Sequence, residues 1–231
     1  MGPRPTKLAS SEVGGPTNPL LYTAPLAGGI HGDAFKWSVG FLERRGRERF
    51  GPRFRIGERD HATIFSLLVY FLHQQREAEE LGIDLRKGIM LSGPVGCGKT
   101  SLMTLMKLVA PPEYHYKIRS CRDVMFELAD NGFEVISRYS RYSFASDGPT
   151  TYCFDDLGSE SEMKIYGNSC NVMAEILQTR YELFISSRMI THVTTNLNAD
   201  EIGQAYGTRV RSRIREMMNL IGFDAVTDKR V

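Results

Sequence analysis

Residues 93–100, with the sequence GPVGCGKT, have the types and spacing of a site for a phosphate anion. Glycines let successive backbone N–H groups converge on an anion without steric clash. Lys99 adds a positive charge, and the Thr100 hydroxyl suits Mg²⁺. We predict a phosphate-binding loop for ATP and Mg²⁺ rather than an ordinary glycine turn. The predicted binding residues are Gly93, Pro94, Val95, Gly96, Cys97, Gly98, Lys99, Thr100 and Ser101, and Lys99 is also a catalytic candidate.

Two consecutive aspartates end the apolar segment that begins at Tyr152. In a parallel sheet, a carboxylate at the carboxyl end of a strand lies beside the phosphate loop. Asp155 is therefore predicted to join Thr100 at Mg²⁺, through water, because Mg²⁺ keeps several of its waters. Asp156 is the candidate that orients or deprotonates the attacking water, with Glu160 as a fallback base. The competing interpretation is a solvated acidic turn.

A third polar residue, Asn196, ends the β-branched segment 190–197. It could position the attacking water from another direction, although asparagine at a strand end is commonly a turn residue. Its place after the phosphate loop and the acidic strand favours the catalytic interpretation.

An arginine-rich segment, GTRVRSRIRE, follows at residues 207–216. In a helix, Arg209 and Arg213 share one face, and Arg211 and Arg215 share another. An arginine supplied by a neighbouring subunit can neutralise charge on a transferred phosphoryl group. A solvated basic helix is the alternative, and it is the favoured interpretation for Arg211 and Arg215.

Segments of strand and helix character alternate along the part of the chain that carries these residues. This alternation predicts a parallel sheet covered by helices on both faces. The predicted strands are 88–92, 115–120, 150–158, 190–197 and 219–224, and the predicted helices are 101–109, 121–132, 171–184, 200–207 and 209–218. Before them, residues 34–50 predict a short helix and residues 61–80 a long one.

Composition bounds the class of protein. The length of 231 residues and a net charge of +2 suit one globular domain with an extension rather than a dedicated nucleic-acid coat. Four cysteines without a CxxC pair indicate neither zinc nor a disulfide framework. We find no apolar stretch long enough for a signal peptide or membrane span, and expect a cytoplasmic protein. We expect a flexible arm at 1–33, a helical extension and linker at 34–85, and the ATPase core at 86–231.

Taken together, the motifs resemble the DnaC/IstB group of AAA+ ATPases, the bacterial helicase loaders and transposition ATPases. The resemblance covers roughly residues 86–224 and rests on GPVGCGKT, FDDLGSE, TRYE, TTNL and YGTRVRSRIRE, which occur in that order. It implies a P-loop NTPase of the α/β class, with a five-stranded sheet in the order 5-1-4-3-2. It also implies Asn196 as a sensor, Arg213 as an arginine finger with Arg209 as a second arginine, and residues 54–60 near the adenine. The chain ends soon after the last predicted strand, so we expect no C-terminal lid domain.

Two patches are candidates for DNA contact, whether single-stranded or duplex. Residues 43–60 hold seven arginines among four acids, which more often indicates a surface or subunit contact. Residues 136–144 interleave Arg138 and Arg141 with Tyr139, Tyr142 and Phe144, so that phosphates and bases could both be contacted. A solvated loop with packed tyrosines is an equally weighted alternative.

Three functions remain open at this stage. The leading one is a DnaC/IstB-like ATPase that assembles head-to-tail, as a ring or filament, on DNA and loads or regulates a helicase or a transposase. The second is a nucleotide-switched protein adaptor with slow or vestigial hydrolysis. The third is a P-loop kinase, which leaves Asn196 and Arg213 unexplained.

Overall fold

The computed structural model describes residues 32–146, 148–160, 163–165 and 168–223. The expected N-terminal arm lies outside the described residues, except for its last two positions. None of the helices in the described part is long and apolar enough to cross a membrane.

A five-stranded parallel sheet forms the centre of the molecule. Its strands in chain order are β1 (Gly88–Ser92), β2 (Lys117–Ser120), β3 (Tyr152–Leu157), β4 (Thr191–Thr195) and β5 (Met218–Gly222). Across the sheet they lie in the order β5-β1-β4-β3-β2, which confirms the predicted order. This order places the carboxyl ends of β1, β3 and β4 side by side, where ligands bind in open α/β sheets.

Helices cover both faces of this sheet. They are α1 (Asp33–Phe50), α2 (His61–Phe71), α3 (Gln75–Leu81), α4 (Lys99–Met106), α5 (Cys121–Asn131), α6 (Glu134–Arg138), α7 (Val172–Ser187), α8 (Ala199–Tyr206) and α9 (Thr208–Met217). Side chains along β1 alternate between two hydrophobic clusters, as the pleat of a strand requires. Ile89 and Leu91 pack with α1, α2 and α4, whereas Met90 packs with α5, α7, α8 and α9.

The helices before residue 85 share the first of these clusters. Phe41 of α1 and Leu68 of α2 lie in the same buried group as Leu91 of β1. Gly46 allows the chain after α1 to fold back closely, because a Cβ there would lie 2.2 Å from the ring of Phe54. The segment 34–85 therefore packs directly on the side of the sheet that carries the phosphate loop.

The long helix predicted at residues 61–80 is wrong in one respect, since two helices occupy this segment. The first ends at Phe71, His73 adopts a left-handed φ of 51°, and the second begins at Gln75. The His73 ring stacks on Tyr114, with ring centroids 3.5 Å apart. This tertiary contact accompanies a break that helical periodicity alone does not show.

Two short antiparallel hairpins were also absent from the sequence prediction. One pairs Phe144–Ala145 with Gly148–Pro149, and the other pairs Met163–Ile165 with Asn168–Cys170. Strands of two or three residues are too short to show a recognisable period.

A buried arginine, Arg180 of α7, joins the helices on one face to the amino ends of two strands. Its guanidinium donates to the Thr191 hydroxyl (2.7 Å) and to the carbonyls of Tyr139 (2.8 Å), Thr150 (3.1 Å) and Ile190 (2.8 Å). Burial lowers its pKa to about 9. A charge buried in this way needs hydrogen bonds, and the four acceptors give at least one to each of the three nitrogens.

Candidate functional site

The phosphate loop connects β1 to α4, as the motif requires. Gly96 and Gly98 have φ values of 81° and 101°, which glycine adopts at little cost. A Cβ at Gly93 would lie 2.5 Å from the carbonyl oxygen of Phe223, so only glycine fits where the loop passes the end of β5. The backbone thus has the glycine geometry of an anion-binding loop at a helix N-terminus.

Lys99 is the first residue of α4, and its side chain lies back along this loop. The ammonium donates to the carbonyls of Gly93 (2.7 Å) and Pro94 (2.9 Å), and it lies 3.8 Å from the Sγ of Cys97. The side chain is buried, yet it lines the cleft above the loop. A positive charge is therefore held at the place where an anion would approach.

Thr100 faces the first aspartate across the cleft. Its hydroxyl lies 2.9 Å and 3.0 Å from the two carboxylate oxygens of Asp155. The buried hydroxyl of Thr194 on β4 donates to the same carboxylate at 2.7 Å. One hydroxyl and one carboxylate form a donor set that fits Mg²⁺, which is bound by few protein ligands and keeps waters. Within the described residues, no cluster of three or more His, Cys, Asp or Glu side chains could hold a metal.

A β-bulge sets the position of the second aspartate. Phe154 pairs with Val193 and Leu157 with Thr195, so three steps on β3 oppose two steps on β4. Asp156 takes a left-handed φ of 60° within this bulge, and its N–H donates to the Thr194 hydroxyl at 2.8 Å. Bulges re-aim side chains next to active sites, and a non-glycine residue at positive φ is a sign of local strain.

Lys99, Thr100 and both aspartates line one cleft of about 700 Å³. Its walls are Phe50, Arg53, Phe54, Val95, Gly96, Gly98, Lys99, Thr100, Ser101, Asp155, Asp156, Gly158, Ser159 and Asn196. The volume falls within the range of sites that enclose a small molecule. The structure therefore brings Asn196 together with both aspartates.

Five lining residues were not singled out as site residues, and three of them lie together near the end of α1. Phe50, Arg53 and Phe54 reach the cleft from the turn after α1, and the two rings lie 5.5 Å apart. The resemblance implied that residues 54–60 lie near the adenine, and of these Phe54 lines the cleft. Phe50 and Arg53 lie just before that segment, and only the folding back of α1 shows that they belong to the site.

Three predicted loop residues do not line the cleft. Gly93 and Pro94 contribute carbonyls to Lys99 rather than a surface for a ligand. The Cys97 side chain is fully buried in the hydrophobic cluster beneath the loop. Its type is therefore set by packing.

Glu160, the fallback base, lies elsewhere. It borders a separate cavity of about 180 Å³, together with Asn171 and Tyr206, and it does not line the 700 Å³ cleft. Its carboxylate accepts hydrogen bonds from the Tyr206 hydroxyl and from the Gly158 N–H. The structure thus gives no support to Glu160 as a base that contacts the attacking water.

The arginine helix α9 packs against α7 outside the cleft. Arg213 lies over the ring of Tyr181, 4.9 Å from its centre, and donates to Gln178 at 3.4 Å. It is half-buried and does not line the cleft of its own chain. Arg209 is exposed near the start of the helix. On the other face, Arg211 pairs with Asp200 at 3.2 Å.

The aromatic patch predicted for DNA is only partly a surface. Tyr139 is buried at 3% exposure, and it donates to Glu127 and packs on the ring of Tyr152. Its assignment as a base-stacking residue is therefore wrong, because the ring belongs to the core. Arg138 is exposed but pairs with Glu127 and Glu134.

Beside these residues, the aromatic side chains that do face solvent are Phe126, Phe133, Tyr142 and Phe144, and Arg141 is exposed among them. In the other patch, residues 43–60, Arg45 and Arg47 pair with nearby glutamates, as the alternation of charges predicted.

Comparison with known proteins identifies the fold. No family model matches the chain, and no curated protein matches it. The crystal structure of the DnaC helicase loader matches with a TM-score of 0.50 and 16% identity, over 73% of this chain and 92% of that one. The crystal structure of DnaI matches with a TM-score of 0.44 and 18% identity, over 88% of this chain and 92% of DnaI. The replication initiator DnaA bound to AMPPCP and single-stranded DNA matches with a TM-score of 0.49 and 19% identity, over 78% of this chain and 50% of DnaA.

At this level of identity, the match to DnaC shows a shared fold. The chain has a DnaC-like AAA+ fold with a P-loop, and the resemblance expected from the motifs is confirmed to that extent. The chain spans half of the DnaA structure.

Proposed function

We propose that this chain binds ATP with Mg²⁺ and hydrolyses the nucleotide. The observation that carries the proposal is the contact of Thr100 with Asp155 in the cleft that also holds Lys99, Asp156 and Asn196. Packing does not account for it, because Thr100 is exposed and its partner comes from a separate strand. A hydroxyl, a carboxylate and a lysine at a helix N-terminus are the groups that a magnesium nucleotide requires.

The roles follow from where each side chain lies. The backbone N–H groups of the loop and the Lys99 ammonium hold the phosphates, and Thr100 and Asp155 would hold Mg²⁺. When bound there, the metal would supply positive charge opposite the phosphate oxygens. Asp156 takes the proton of the attacking water, and Asn196 orients that water.

Arg213 acts on the nucleotide of a neighbouring subunit in this proposal. It does not line the cleft of its own chain, and its guanidinium lies over Tyr181 at the surface of the α7–α9 pair. A contact between one subunit's cleft and another's α9 is head-to-tail, so it closes into a ring or continues as a filament. Nucleotide and assembly should then promote each other.

The test compares single variants with their mixture. Arg213→Ala is expected to bind ATP normally and to lose turnover, and Asp156→Asn is expected to do the same. Mixing them should restore part of the activity, because a mixed assembly contains interfaces with an intact aspartate and an intact arginine. The arginine Arg215, on the other face of α9, gives the matched control Arg215→Ala. Turnover per subunit that does not depend on protein concentration, in a protein that stays monomeric, would exclude a role for Arg213 in trans.

The process is proposed from the fold and the exposed residues. DnaC is a helicase loader, and one DnaA structure holds single-stranded DNA. We propose a cytoplasmic factor that assembles on DNA and acts on a helicase or a transposase. The exposed group Arg141, Tyr142 and Phe144 is the proposed DNA contact, since it joins a cation to rings that can stack on bases. Arg141→Ala should weaken single-strand binding and lower its salt dependence.

A nucleotide-switched adaptor is the second candidate. Among the described residues, the hydrogen bonds of Asp156 are made by its backbone N–H and carbonyl. A general base is usually oriented by a further group, so slow hydrolysis would fit this arrangement. Tight ATP binding without turnover, with or without DNA, would favour the adaptor.

A further inference from the structure

Glu160 uses its two carboxylate oxygens to join two separate elements. Oε2 accepts the N–H of Gly158 at 3.0 Å, within the turn that follows β3. Oε1 accepts the hydroxyl of Tyr206, the last residue of α8. Burial raises the pKa of the Glu160 carboxyl, and burial likewise raises the pKa of the Tyr206 hydroxyl, which therefore stays a donor.

The turn that Glu160 closes contains the proposed base. The N–H of Ser159 donates to the carbonyl of Asp156 at 3.0 Å. Gly158 has a φ of 102°, and a Cβ there would lie 2.7 Å from the side chain of Leu197. The turn from Asp156 to Glu160 is thus held by its own hydrogen bonds, and at Gly158 it packs against the segment that follows β4.

The other end of the contact leads back to the cleft by a second route. The helix α8 begins after its N-cap Asn198, which accepts hydrogen bonds from the N–H groups of Asp200 and Glu201. Asn198 lies two residues after Asn196, which lines the cleft. The contact between Tyr206 and Glu160 therefore closes a ring of contacts. This ring runs from Asp156 to Glu160, across to Tyr206, back along α8 to Asn196, and from β4 to Asp156 again.

The arginine helix is attached to the same ring. Gly207, with a φ of 87°, separates Tyr206 from α9, which carries Arg209 and Arg213. The residue that bonds to Glu160 therefore lies two positions before the start of α9.

We propose that Glu160 and Tyr206 are positioning residues for hydrolysis, and that their hydrogen bond sets the place of Asp156 relative to Asn196 and to α9. The proposal rests on the proposed ATPase function. It assigns a task to the glutamate that sequence reasoning had treated as a spare base. Neither residue contacts the nucleotide cleft, so loss of the bond should affect turnover and leave binding intact.

The experiment compares Tyr206→Phe and Glu160→Gln with a matched control. The Tyr139 hydroxyl also donates to a glutamate, Glu127 of α5, at 2.7 Å, and Tyr139 lies in the same hydrophobic cluster as Tyr206. Tyr139→Phe therefore removes a similar bond whose acceptor lies outside the segment 156–160. ATP affinity is measured by calorimetry, turnover by phosphate release, and local order by amide hydrogen exchange at residues 157–160.

We expect kcat to fall about tenfold in Tyr206→Phe and in Glu160→Gln, because small misplacements of a reacting group reduce rates strongly. ATP affinity should stay within about twofold, and the double variant should be no slower than either single variant, as expected for residues that act as a unit. Tyr139→Phe should keep kcat within about twofold, because the bond that it loses does not support the turn after Asp156.

Turnover of both variants equal to that of the control overturns the proposal, as does a loss that appears in ATP affinity alone. If Tyr206→Phe does not fold, Glu160→Gln carries the comparison. If the wild-type protein binds ATP without turnover, the hydrolysis proposal fails and amide exchange decides the inference. Faster exchange at Gly158 and Ser159 in Tyr206→Phe than in Tyr139→Phe supports the positioning role, and equal exchange rejects it.

Discussion

The phosphate loop and the acidic segment 155–160 meet in one cleft, but different kinds of interaction hold them. Most of the loop's contacts lie within the loop: Gly96 and Gly98 take positive φ values, and Lys99 bonds to two carbonyls of the same loop. The acidic segment also takes hydrogen bonds from outside, from Thr194 on β4 and from Tyr206 on α8. The geometry of the loop is therefore set mainly by its own sequence, whereas that of the acidic segment also depends on the packing of neighbouring elements.

This difference suggests a division of labour. The loop should set nucleotide affinity, and the acidic segment should set the rate of hydrolysis. Substitutions in the two regions are then expected to change different measured quantities.

The largest effect is expected from Asp156→Asn. Its amide cannot accept the proton of the attacking water, and a general base contributes roughly 100- to 10,000-fold to the rate. Turnover should fall by at least about 100-fold, with ATP affinity near that of the wild type. Phosphate release and calorimetry measure the two quantities, and Asp130→Asn on the exposed side of α5 is the control. Full turnover in Asp156→Asn would show that Asp156 is not the general base.

Lys99→Ala should show the opposite pattern. The variant loses a charge-assisted contact to the phosphates, so affinity for magnesium ATP should fall on the order of 100-fold. Lys117→Ala, on the edge strand β2, should leave affinity unchanged. Unchanged affinity of Lys99→Ala in calorimetry would contradict the assignment of the loop.

Thr194→Val tests whether the hydrogen bonds from β4 hold the acidic segment in place. Valine keeps the shape of the side chain but removes the hydroxyl that donates to Asp155 and accepts from the N–H of Asp156. We expect kcat to fall about tenfold, with a smaller loss in Mg²⁺-dependent binding, since a lost buried hydrogen bond costs about 1–3 kcal/mol. Thr63→Val removes a hydroxyl bonded to Gly222 instead, and should have little effect on kcat. Equal effects of the two variants would mean that Thr194 only stabilises the fold.

The smallest expected effect is on the stability of the fold, which both regions share. His192 on β4 is fully buried, and its Nδ1 accepts the N–H of Ile89 on β1. Burial, with a further contribution from Arg180, lowers the pKa of His192 to about 3. The unfolded chain takes up a proton near the ordinary value, about 6.5, and the folded chain does not. Stability is therefore full above that pH and is lost as the pH falls, by at most about 1.4 kcal/mol per pH unit.

Urea unfolding at pH 7.5, 6.0 and 5.0 measures this dependence. His192→Gln keeps an acceptor that does not titrate in this range, so its stability should fall less steeply than that of the wild type. Parallel slopes for the two proteins would assign the pH dependence to other groups.

Sequence reasoning succeeded where the determinants are local. Glycine spacing marked the loop, and β-branched runs such as 191–195 marked the strands, since each signal lies within a few residues. It missed the bulge at Asp156, because a bulge is defined by its register with β4. It also misjudged Tyr139 and the interrupted helix at His73, since each depends on a partner far along the chain. Sequence reasoning did not predict that Phe50 and Arg53 line the cleft, for the same reason.

The buried guanidinium of Arg180 has a consequence for the evolution of this chain. It holds the carbonyls of Tyr139 and Thr150, so it acts as a clasp at the base of the segment between them. A clasped segment can vary in sequence or length at its tip without disturbing the strands it connects, because loop length itself costs little free energy. The exposed residues Tyr142 and Phe144 lie within that segment. The fold thus offers a site where new binding specificities can arise while the parallel sheet and the cleft remain unchanged.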